Sequence, residues 1–583
     1  MTMKNEVKRK CETIIEDLRN EIPKKMKEHN IPGLAIALVS KKGTMWCECF
    51  GYTNMSRRQA VNTDTLFSLQ STTKTVTAVA FLLAVQNGLA ELDDPVVEYY
   101  PEFKVYSRFG ESQYKKITFK HLLSHTSGLT RESKVGGVFN YMLCTWEEHI
   151  KGISGSWLKF RVGKGLSYSN VGMDLVAYVL ERITGMKYPE YVQKVLGDSL
   201  GITFWYDTQK VYNAENAARG HLGKNEAVVI DPVGLGCGAA HLSIADQAVF
   251  VQFLLNVGQV DGNRVLNSEY INAMRSVDKE GWYGLGTCVN REYGIDVSYH
   301  PGGGFGIRSE MYWLPEYDGG VAVFTNQEYG NYSGVLAKKA LKLILEVQGV
   351  SCTPTEFPFH APAQIGTPLL KRLTGVYSGF WGSVSVNVRD GRLYLDYPDK
   401  EVELTPHSET AFSADSVKGV VFQLDEGTPL SLKMYTPNSG ILHMDYKGRP
   451  PESPGPNKQE WTTYTGLYRM NIYGTEPVFC GVKVEDDGYL HLRWEASERL
   501  YQHESTPNLF FMFNGNAVIF EKDHLRYDNV EWEKIHNPAA AITELLKSPE
   551  HILQEWMIDG IAANLKYLAR NEEAEKILQL KHK

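Results

Sequence analysis

The sequence predicts an α/β fold with a mixed sheet flanked by helices, followed by two small antiparallel β-barrel domains and a helical C-terminal tail. Three observations lead to this prediction. Strand-like runs at both ends of the first 350 residues enclose a block of helical periodicity, which is typical of α/β domains. Two segments of short alternating strands follow and resemble each other. Helical periodicity returns from about residue 538.

The first predicted domain, residues 1–350, opens with a charged amphipathic helix. Strand-like runs at 33–39 and 44–52 are joined by a Lys-Lys-Gly turn, which predicts a hairpin. Apolar patterns then predict helices at 75–90, 171–184 and 244–257, strands at 284–289, 296–300, 307–313 and 320–325, and a closing helix at 334–348. We therefore expect strands from both ends of this domain to share one sheet.

Beyond residue 350 the character of the chain changes. The Pro-rich stretch 351–368 is predicted to be a linker, residues 369–452 and 453–537 two β-barrel domains, and residues 538–583 a helical tail. The barrel segments echo each other, because LTGVY at 373 resembles YTGLY at 464 and DGRLYL at 390 resembles DGYLHL at 487. Two copies at this spacing favour duplicated barrels over a solenoid.

Composition and net charge argue against several classes of function. A net charge of −8 and a pI of about 6.1 give no electrostatic basis for binding nucleic acid or an anionic membrane. The charged N-terminus lacks the apolar core of a signal peptide, and the eight scattered cysteines form no Cys-x-x-Cys motif. We therefore expect free thiols and a cytoplasmic location. No His, Cys and Glu cluster has metal-ligand spacing, so neither a metal nor a cofactor is predicted.

The candidate active site begins with Ser71 and Lys74, which stand three residues apart where the apolar helical run begins. Residues at i and i+3 share a helix face, so the Lys74 amine can lie beside the Ser71 hydroxyl and accept its proton. Ser-x-x-Lys is a weak signal alone. It recurs at Ser112, Ser156 and Ser276, where we expect ordinary surface pairs.

Two further motifs follow Ser71 in the chain. Tyr168-x-Asn170 precedes a predicted helix, and His300-x-Gly302 lies at the end of a predicted strand. Each motif is common by itself, since Tyr-x-Asn recurs at 52, 270, 329 and 527 and His-x-Gly recurs at 221. The order, spacing and setting of the three motifs together therefore carry the argument.

The combined pattern resembles the serine β-lactamase and penicillin-binding-protein superfamily. It consists of Phe67-x-x-x-Ser71-x-Thr73-Lys74, then HLLSHTSGL at 121–129, then the Tyr168 and His300 motifs. The resemblance is to the class C-like branch of D-aminopeptidases, esterases and transacylases, and it covers about residues 25 to 350. It implies a β-lactamase/transpeptidase-like domain. The two lipocalin-like barrels that follow look most like those of the D-aminopeptidase subgroup, where they limit access to the active site. The resemblance also makes a homodimer plausible.

The resemblance also implies roles for the first two motifs. Ser71 would attack a carbonyl and become acylated, while Lys74 and Tyr168 would share the proton of its hydroxyl. Asn170 would bind either Lys74 or the substrate amide. His125, His221 and the glycine-rich segment 234–238 are instead expected to be structural, although that segment could line the pocket.

The third motif bears on substrate choice. Penicillin-binding proteins and β-lactamases usually carry Lys where this chain has His300, and a fixed cation suits a substrate carboxylate. Histidine is neutral over much of the physiological range, so we expect less dependence on a free carboxylate. Pro301 lacks an N–H and suits an open strand edge. Gly302 leaves room for a ligand, and the backbone N–H groups of Ser71 and Gly303 would form the oxyanion hole.

These observations predict a serine hydrolase that acts through an acyl-enzyme on amide or ester bonds of a small-molecule or peptide substrate. A peptidase or amidase, D-aminopeptidase-like in its stereospecificity, is the first expectation. An esterase or acyltransferase (a transacylase or cyclase) on the same site is the alternative. A β-lactamase or D,D-carboxypeptidase is disfavoured by His300. A catalytically inactive binding protein that keeps the fold is disfavoured, because Ser71, Lys74 and Tyr168 are all present.

Overall fold

The computed structural model describes residues 3–56, 58–137, 143–214, 216–227, 233–277, 282–292, 294–352, 361–379, 382–397, 401–415, 417–436, 440–450, 455–472, 476–494, 497–547 and 555–582. An α/β domain is followed by two closed antiparallel barrels and a helical region, which confirms the predicted fold class. None of the helices in these ranges combines the length and the apolar character needed to cross a bilayer. The predicted linker 351–368 lies partly outside the described residues.

The strands described in the first domain are β1 Gly33–Ser40, β2 Gly43–Gly51, β3 Leu66–Ser68, β4 His221–Leu222, β5 Asn225–Glu226, β6 His241–Ser243, β7 Gln259–Val260, β8 Asn263–Arg264, β9 Cys288–Glu292, β10 Ile295–Gly304, β11 Ile307–Leu314 and β12 Gly319–Thr325. Within the described ranges, six of them form one sheet in the order β2-β1-β12-β11-β10-β9. Each of its pairings is antiparallel, which corrects the predicted mixed sheet. The reason is that short turns join β1 to β2 and β9 through β12, and strands joined by tight turns pair antiparallel.

Helices cover both faces of this sheet. They are α1 Met3–Glu28, α2 Thr73–Gln86, α3 Val96–Tyr99, α4 Phe119–Leu123, α5 Trp146–Lys151, α6 Asn170–Thr184, α7 Tyr188–Val192, α8 Asp198–Leu200, α9 Thr208–Asn213, α10 Ile244–Leu255, α11 Ser268–Met274 and α12 Tyr332–Val347. Along β1, Leu34 and Ile36 join the core with α1 and α12, while Ala35 and Ala37 join the core with α2 and α10. This alternation is the period-two pattern of a strand buried on both faces.

The two barrels are built alike. The first follows α13 Thr367–Arg372 and contains β13 Gly375–Gly379, β14 Gly382–Arg389, β15 Arg392–Asp396, β16 Glu401–Pro406, β17 Ala411–Ala414, β18 Val417–Asp425, β19 Thr428–Thr436 and β20 Gly440–Gly448. The second contains β21 Gly466–Ile472, β22 Glu476–Val484, β23 Leu490–Arg493, β24 Ser497–His503, β25 Thr506–Met512, β26 Ala517–Phe520, β27 His524–Tyr527 and β28 Val530–Ile535. Tyr377 donates its hydroxyl to the Leu373 carbonyl at 2.8 Å, and Tyr468 donates to the Tyr464 carbonyl at the same distance. The sequence echo thus corresponds to one repeated hydrogen bond.

The C-terminal helices pack on the outside of the second barrel. They are α14 Pro538–Lys547, α15 Glu555–Tyr567 and α16 Asn571–Leu578. Their apolar side chains share a core with Leu467 and Phe479 of the barrel wall. Asn564 is buried there and donates to the carbonyls of Phe479 and Trp494 at 2.9 and 3.1 Å. The tail therefore supports the second barrel from its far side.

The second barrel docks directly on the first domain. The tip of the β27–β28 hairpin places Asp528 2.9 Å from the Lys159 ammonium. The next residue, Asn529, donates its side-chain amide to the carbonyl of Glu132 at 3.3 Å and to that of Gly152 at 3.2 Å. Asp528 and Asn529 have φ of +49° and +66°, the left-handed pair that a two-residue hairpin turn requires.

Candidate active site

Ser71 lies in a 3-10 turn, Gln70–Thr72, that leads into α2. Two hydrogen bonds stabilise the turn: the Leu69 carbonyl accepts from the hydroxyls of Ser309 at 2.6 Å and Thr72 at 2.8 Å. Gln70 has a φ of +48°, a backbone conformation that residues other than glycine rarely adopt. Such local strain is typical of functional sites. The turn presents Ser71 half-buried, while the residues after it are buried.

Lys74 is fully buried one turn along the same helix, as the spacing predicts. Its ammonium donates to Ser71 Oγ at 3.1 Å and to the Cys237 carbonyl at 2.7 Å. Thr77, on the next turn of α2, donates to the Gly236 carbonyl at 2.7 Å. The glycine-rich segment 234–238, which we expected to be structural, therefore holds Lys74 and the helix that carries it through two backbone carbonyls.

Asp174 on α6 holds that glycine-rich segment in place. Its Oδ1 accepts from the backbone N–H groups of Gly236 and Cys237, both at 3.0 Å. Its Oδ2 lies 3.0 Å from His149 Nε2, and His149 Nδ1 lies 2.8 Å from the Val135 carbonyl. Burial acts to lower the pKa of His149, but Asp174 and the carbonyl outweigh it and the pKa is raised.

Tyr168 completes the group around the nucleophile. Its ring centroid lies 4.8 Å from Lys74 Nζ, and the side chain is almost buried. His125, which we expected to be structural, packs against Tyr168 with ring centroids 4.4 Å apart and against Tyr283 at 4.3 Å. Burial, reinforced by the positive charge of Lys74, holds the pKa of His125 well below its usual value. A neutral imidazole thus borders the site.

His300 is also buried and neutral. Burial, with a smaller contribution from Lys74, lowers its pKa to about 3. Its Nδ1 lies 2.8 Å from the Pro301 carbonyl, which can only accept, so Nδ1 carries the proton. Nε2 then accepts from the Tyr283 hydroxyl at 2.8 Å. This arrangement agrees with the expectation that no cation occupies the third motif.

Asn170 has a different partner from the first one expected. Its amide donates to the Glu132 carboxylate at 2.7 Å, whereas the described hydrogen bonds of Lys74 go to Ser71 and Cys237. The carboxylate makes this a charge-assisted hydrogen bond. Asn170 Oδ1 is buried and has no hydrogen-bond partner among the described residues. Asn170 Oδ1 therefore keeps an unused acceptor position.

The third motif lies on an open strand edge, as Pro301 predicts. β9 pairs with β10 only as far as Tyr299, so from His300 onward β10 pairs with β11 alone in the described structure. A Cβ on Gly302 would lie 2.4 Å from the Leu69 carbonyl, so only glycine lets the strand approach the nucleophile turn this closely. Gly303, the next residue on this strand, is exposed.

A cavity of about 1240 Å³ extends from this site into the barrels. Its catalytic-domain end is lined by Arg131, Glu132, Tyr168 and Trp282. Both barrels supply much of the remaining wall, including Asp396, His443, Asp445, His491, Glu498, Asn514, Tyr527 and Trp532. The described residues contain no group of three or more His, Cys, Asp and Glu that could hold a metal ion.

Sequence reasoning missed several of these residues. Cys237 acts through its carbonyl, a group that every residue has, so its type gives no signal. Glu132 and Tyr283 belong to no motif and reach the site only through the fold. Arg131 and Glu132 follow HTSGL after a single residue, Thr130, and this proximity to a motif was a hint that they lie near the site.

Comparisons with known proteins agree with this geometry. The family model Beta-lactamase matches residues 18–346. Penicillin-binding protein 4* of Bacillus subtilis (strain 168) is 24% identical over 486 residues, which cover 75% of this chain and 98% of that protein. Beta-lactamase-like protein 2 of Dictyostelium discoideum is 28% identical over 268 residues, 44% of this chain and 47% of its own length.

A solved structure extends the likeness to the region after the first domain. The crystal structure of SurE with D-Leu aligns with a TM-score of 0.51 and 19% identity, covering 74% of this chain and 99% of that chain. At this identity the likeness concerns the fold. Since the family model spans more than half of the 583 residues and its motifs meet around Ser71, the chain belongs to the β-lactamase family.

Proposed function

We propose that this protein is a serine hydrolase that forms an acyl-enzyme at Ser71 and cleaves amide bonds of small peptides or peptide-like molecules. One observation carries the proposal. The buried Lys74 amine lies 3.1 Å from Ser71 Oγ, with the Tyr168 ring beside it. A nucleophile and a candidate base are thus within hydrogen-bond distance, and an aromatic side chain that can carry a proton lies beside the base, as acyl transfer needs.

The proposed reaction follows from these contacts. Ser71 Oγ attacks the carbonyl carbon, and as the C–O bond forms its proton passes either to Lys74 in the neutral amine form or to Tyr168 in the phenolate form. The backbone N–H groups of Ser71 and Gly303 stabilise the oxyanion. The proton then moves to the leaving amine as the C–N bond breaks, and water later hydrolyses the ester.

Two features support a small amide substrate over a β-lactam or a peptide with a free carboxylate. His300 is neutral, so the third motif offers no cation to a carboxylate. Asn170 Oδ1 is available to accept from a substrate amide N–H. A D-residue at the acyl side is the first to test, because the fold relative SurE was solved with D-Leu.

The size of the cavity favours one second candidate, an acyltransferase. At about 1240 Å³ it exceeds the roughly 300–1,000 Å³ of an ordinary ligand pocket, so an acceptor amine or alcohol has room beside the acyl group. Product analysis with added D-alanine amide as acceptor distinguishes the two, since a transferase forms the dipeptide amide.

Intact-mass spectrometry with a fluorophosphonate, followed by D- and L-alanine p-nitroanilides and a p-nitrophenyl ester, tests the proposal. We expect one adduct on the wild type, none on Ser71→Ala, and turnover of an anilide. Ser112→Ala is the matched control, because Ser112 is an exposed Ser-x-x-Lys serine and its loss should change nothing. An undiminished adduct on Ser71→Ala, or no adduct on the wild type with any probe, overturns the proposal.

A further inference from the structure

A carboxyl group points into the interior of the second barrel. Leu500 on β24 is fully buried in the barrel core, and Glu498 lies two positions before it on the same face. The strand partner of Glu498 on β23 is Leu492, another core residue. Glu498 lines the cavity that begins at Tyr168.

The Glu498 carboxylate lacks a cationic partner within the described structure. Its one hydrogen bond comes from the Asn514 amide at 3.3 Å. Three of the cations that line the cavity are paired with other acids: Lys159 with Asp528 at 2.9 Å, Lys447 with Asp445 at 3.2 Å and Arg499 with Asp487 at 2.6 Å. A half-buried carboxyl group that faces an apolar core without a counter-ion is costly in its ionised form. A bound cation would remove that cost.

Aromatic rings form the wall beside this carboxyl group. The rings of Trp494 and Trp532 lie 5.4 Å apart at 73°, and those of Trp494 and Tyr527 lie 6.4 Å apart at 84°. These near-perpendicular rings line the same cavity as Glu498. Asn516 adds a buried carbonyl oxygen that has no partner in the described residues. Aromatic faces and carbonyl oxygens both attract cations.

We infer that the mouth of the second barrel is a binding site for an organic ammonium group, with Glu498 as counter-ion and Trp494, Trp532 and Tyr527 as walls. A metal ion fits poorly, because one carboxylate and one amide oxygen supply too few hard ligands. A neutral ligand would leave the carboxylate unpaired. The ligand class that uses both the carboxylate and the aromatic rings is an organic molecule with a primary or methylated ammonium group.

The site is held at a fixed position relative to the nucleophile. Tyr527 directly precedes the hairpin tip at Asp528 and Asn529, which binds Lys159 and Glu132 of the first domain. One ligand in the cavity can therefore span both ends. If the proposed function holds, on which this step rests, the preferred acyl substrates carry an amine remote from the scissile bond.

Calorimetry on the full chain tests the binding site apart from catalysis. The Ser71→Ala variant is titrated with 3-phenylpropylammonium and with neutral 3-phenylpropan-1-ol, in amine-free phosphate buffer. We expect the ammonium to bind at least about tenfold more tightly than the alcohol, and Glu498→Gln to remove that preference. Glu504→Gln, an exposed acid in the β24–β25 turn, should keep it. Equal affinity for the two probes, or an unchanged preference in Glu498→Gln, overturns the inference.

A second variant tests the same site in case Glu498→Gln does not fold. Trp494→Leu removes an aromatic wall and should weaken ammonium binding at least about fivefold, and full retention of affinity would again overturn the inference. The fluorophosphonate experiment reports separately on Ser71. Ammonium binding without any labelling contradicts the proposed function alone, and labelling without ammonium selectivity contradicts this inference alone.

Discussion

Asn529, at a hairpin tip in the second barrel, donates its side-chain amide to the backbone carbonyl of Glu132, a residue 397 positions earlier in the chain. The Glu132 carboxylate in turn accepts from Asn170 at 2.7 Å, and the Arg131 carbonyl accepts from the Asn170 backbone N–H at 2.9 Å. The barrel thus reaches the candidate active site through two hydrogen-bonded steps. It is a structural part of that site.

Replacing Asn529 by glycine tests this connection. Glycine keeps the positive φ but removes both hydrogen bonds to the first domain, each worth about 0.5–1.5 kcal/mol. We expect kcat/KM to fall several-fold with little change in Tm. Asn457→Gly is the control, because Asn457 also has a positive φ but is exposed away from the site. Equal kcat/KM for wild type and Asn529→Gly would show that the contact is dispensable.

Asp174→Asn should impair activity without touching the nucleophile. The hydrogen bonds that fix the Cys237 segment lose their charge-assisted character, and the ion pair with His149 is lost. We expect kcat to fall at least about tenfold and Tm to drop, while fluorophosphonate still labels Ser71 slowly. Exposed Asp261→Asn serves as control. Wild-type kcat in Asp174→Asn would refute the positioning role.

Two neighbouring glycines should respond differently to alanine. In Gly302→Ala the new Cβ meets the Leu69 carbonyl at 2.4 Å and Ser309 Oγ at 2.2 Å, so the strand must move away from the nucleophile turn. In Gly303→Ala it meets only the flexible end of Arg308. We expect Gly302→Ala to lose activity and several degrees of Tm, whereas Gly303→Ala keeps its Tm. Equal Tm for both variants would contradict this packing argument.

Glu498 should make stability pH-dependent. Burial raises its pKa to about 7 from 4.5, so the folded chain retains a proton that the unfolded chain releases near pH 4.5. Stability is therefore lost as the pH rises through this window. Glu498→Gln has no proton to release, so its free energy of unfolding relative to wild type should rise by about 1–3 kcal/mol from pH 5 to pH 8, and its relative Tm should rise with it. Scanning fluorimetry measures it, and an advantage that is independent of pH would contradict the assignment.

Local patterns predicted much of the fold and part of the site. The Ser71–Lys74 contact follows from helix geometry alone, and the paired barrels follow from repeated turn residues. The direction of the strands did not follow, because a strand-like run carries no sign of its partner's orientation. We predicted a mixed sheet, whereas the pairings described in the structure are antiparallel.

Contacts distant in sequence escaped prediction for a physical reason. The position of His125 between Tyr168 and Tyr283 depends on how α4, α6 and β9 pack, and no local pattern encodes that packing. Likewise, the Asn529 contact requires a closed barrel docked in one orientation. The boundaries of the domains and the roles of the motif residues stay predictions.

The hairpin that carries Asp528 and Asn529 also bears on how the protein matures. A ribosome makes chains from the N-terminus, so Ser71, Lys74 and Tyr168 emerge hundreds of residues before the segment that closes the chamber over them. During that interval the nucleophile faces an unwalled cleft. The second barrel is synthesised after the first domain and the first barrel, so the wall that it supplies cannot restrict access to Ser71 before then.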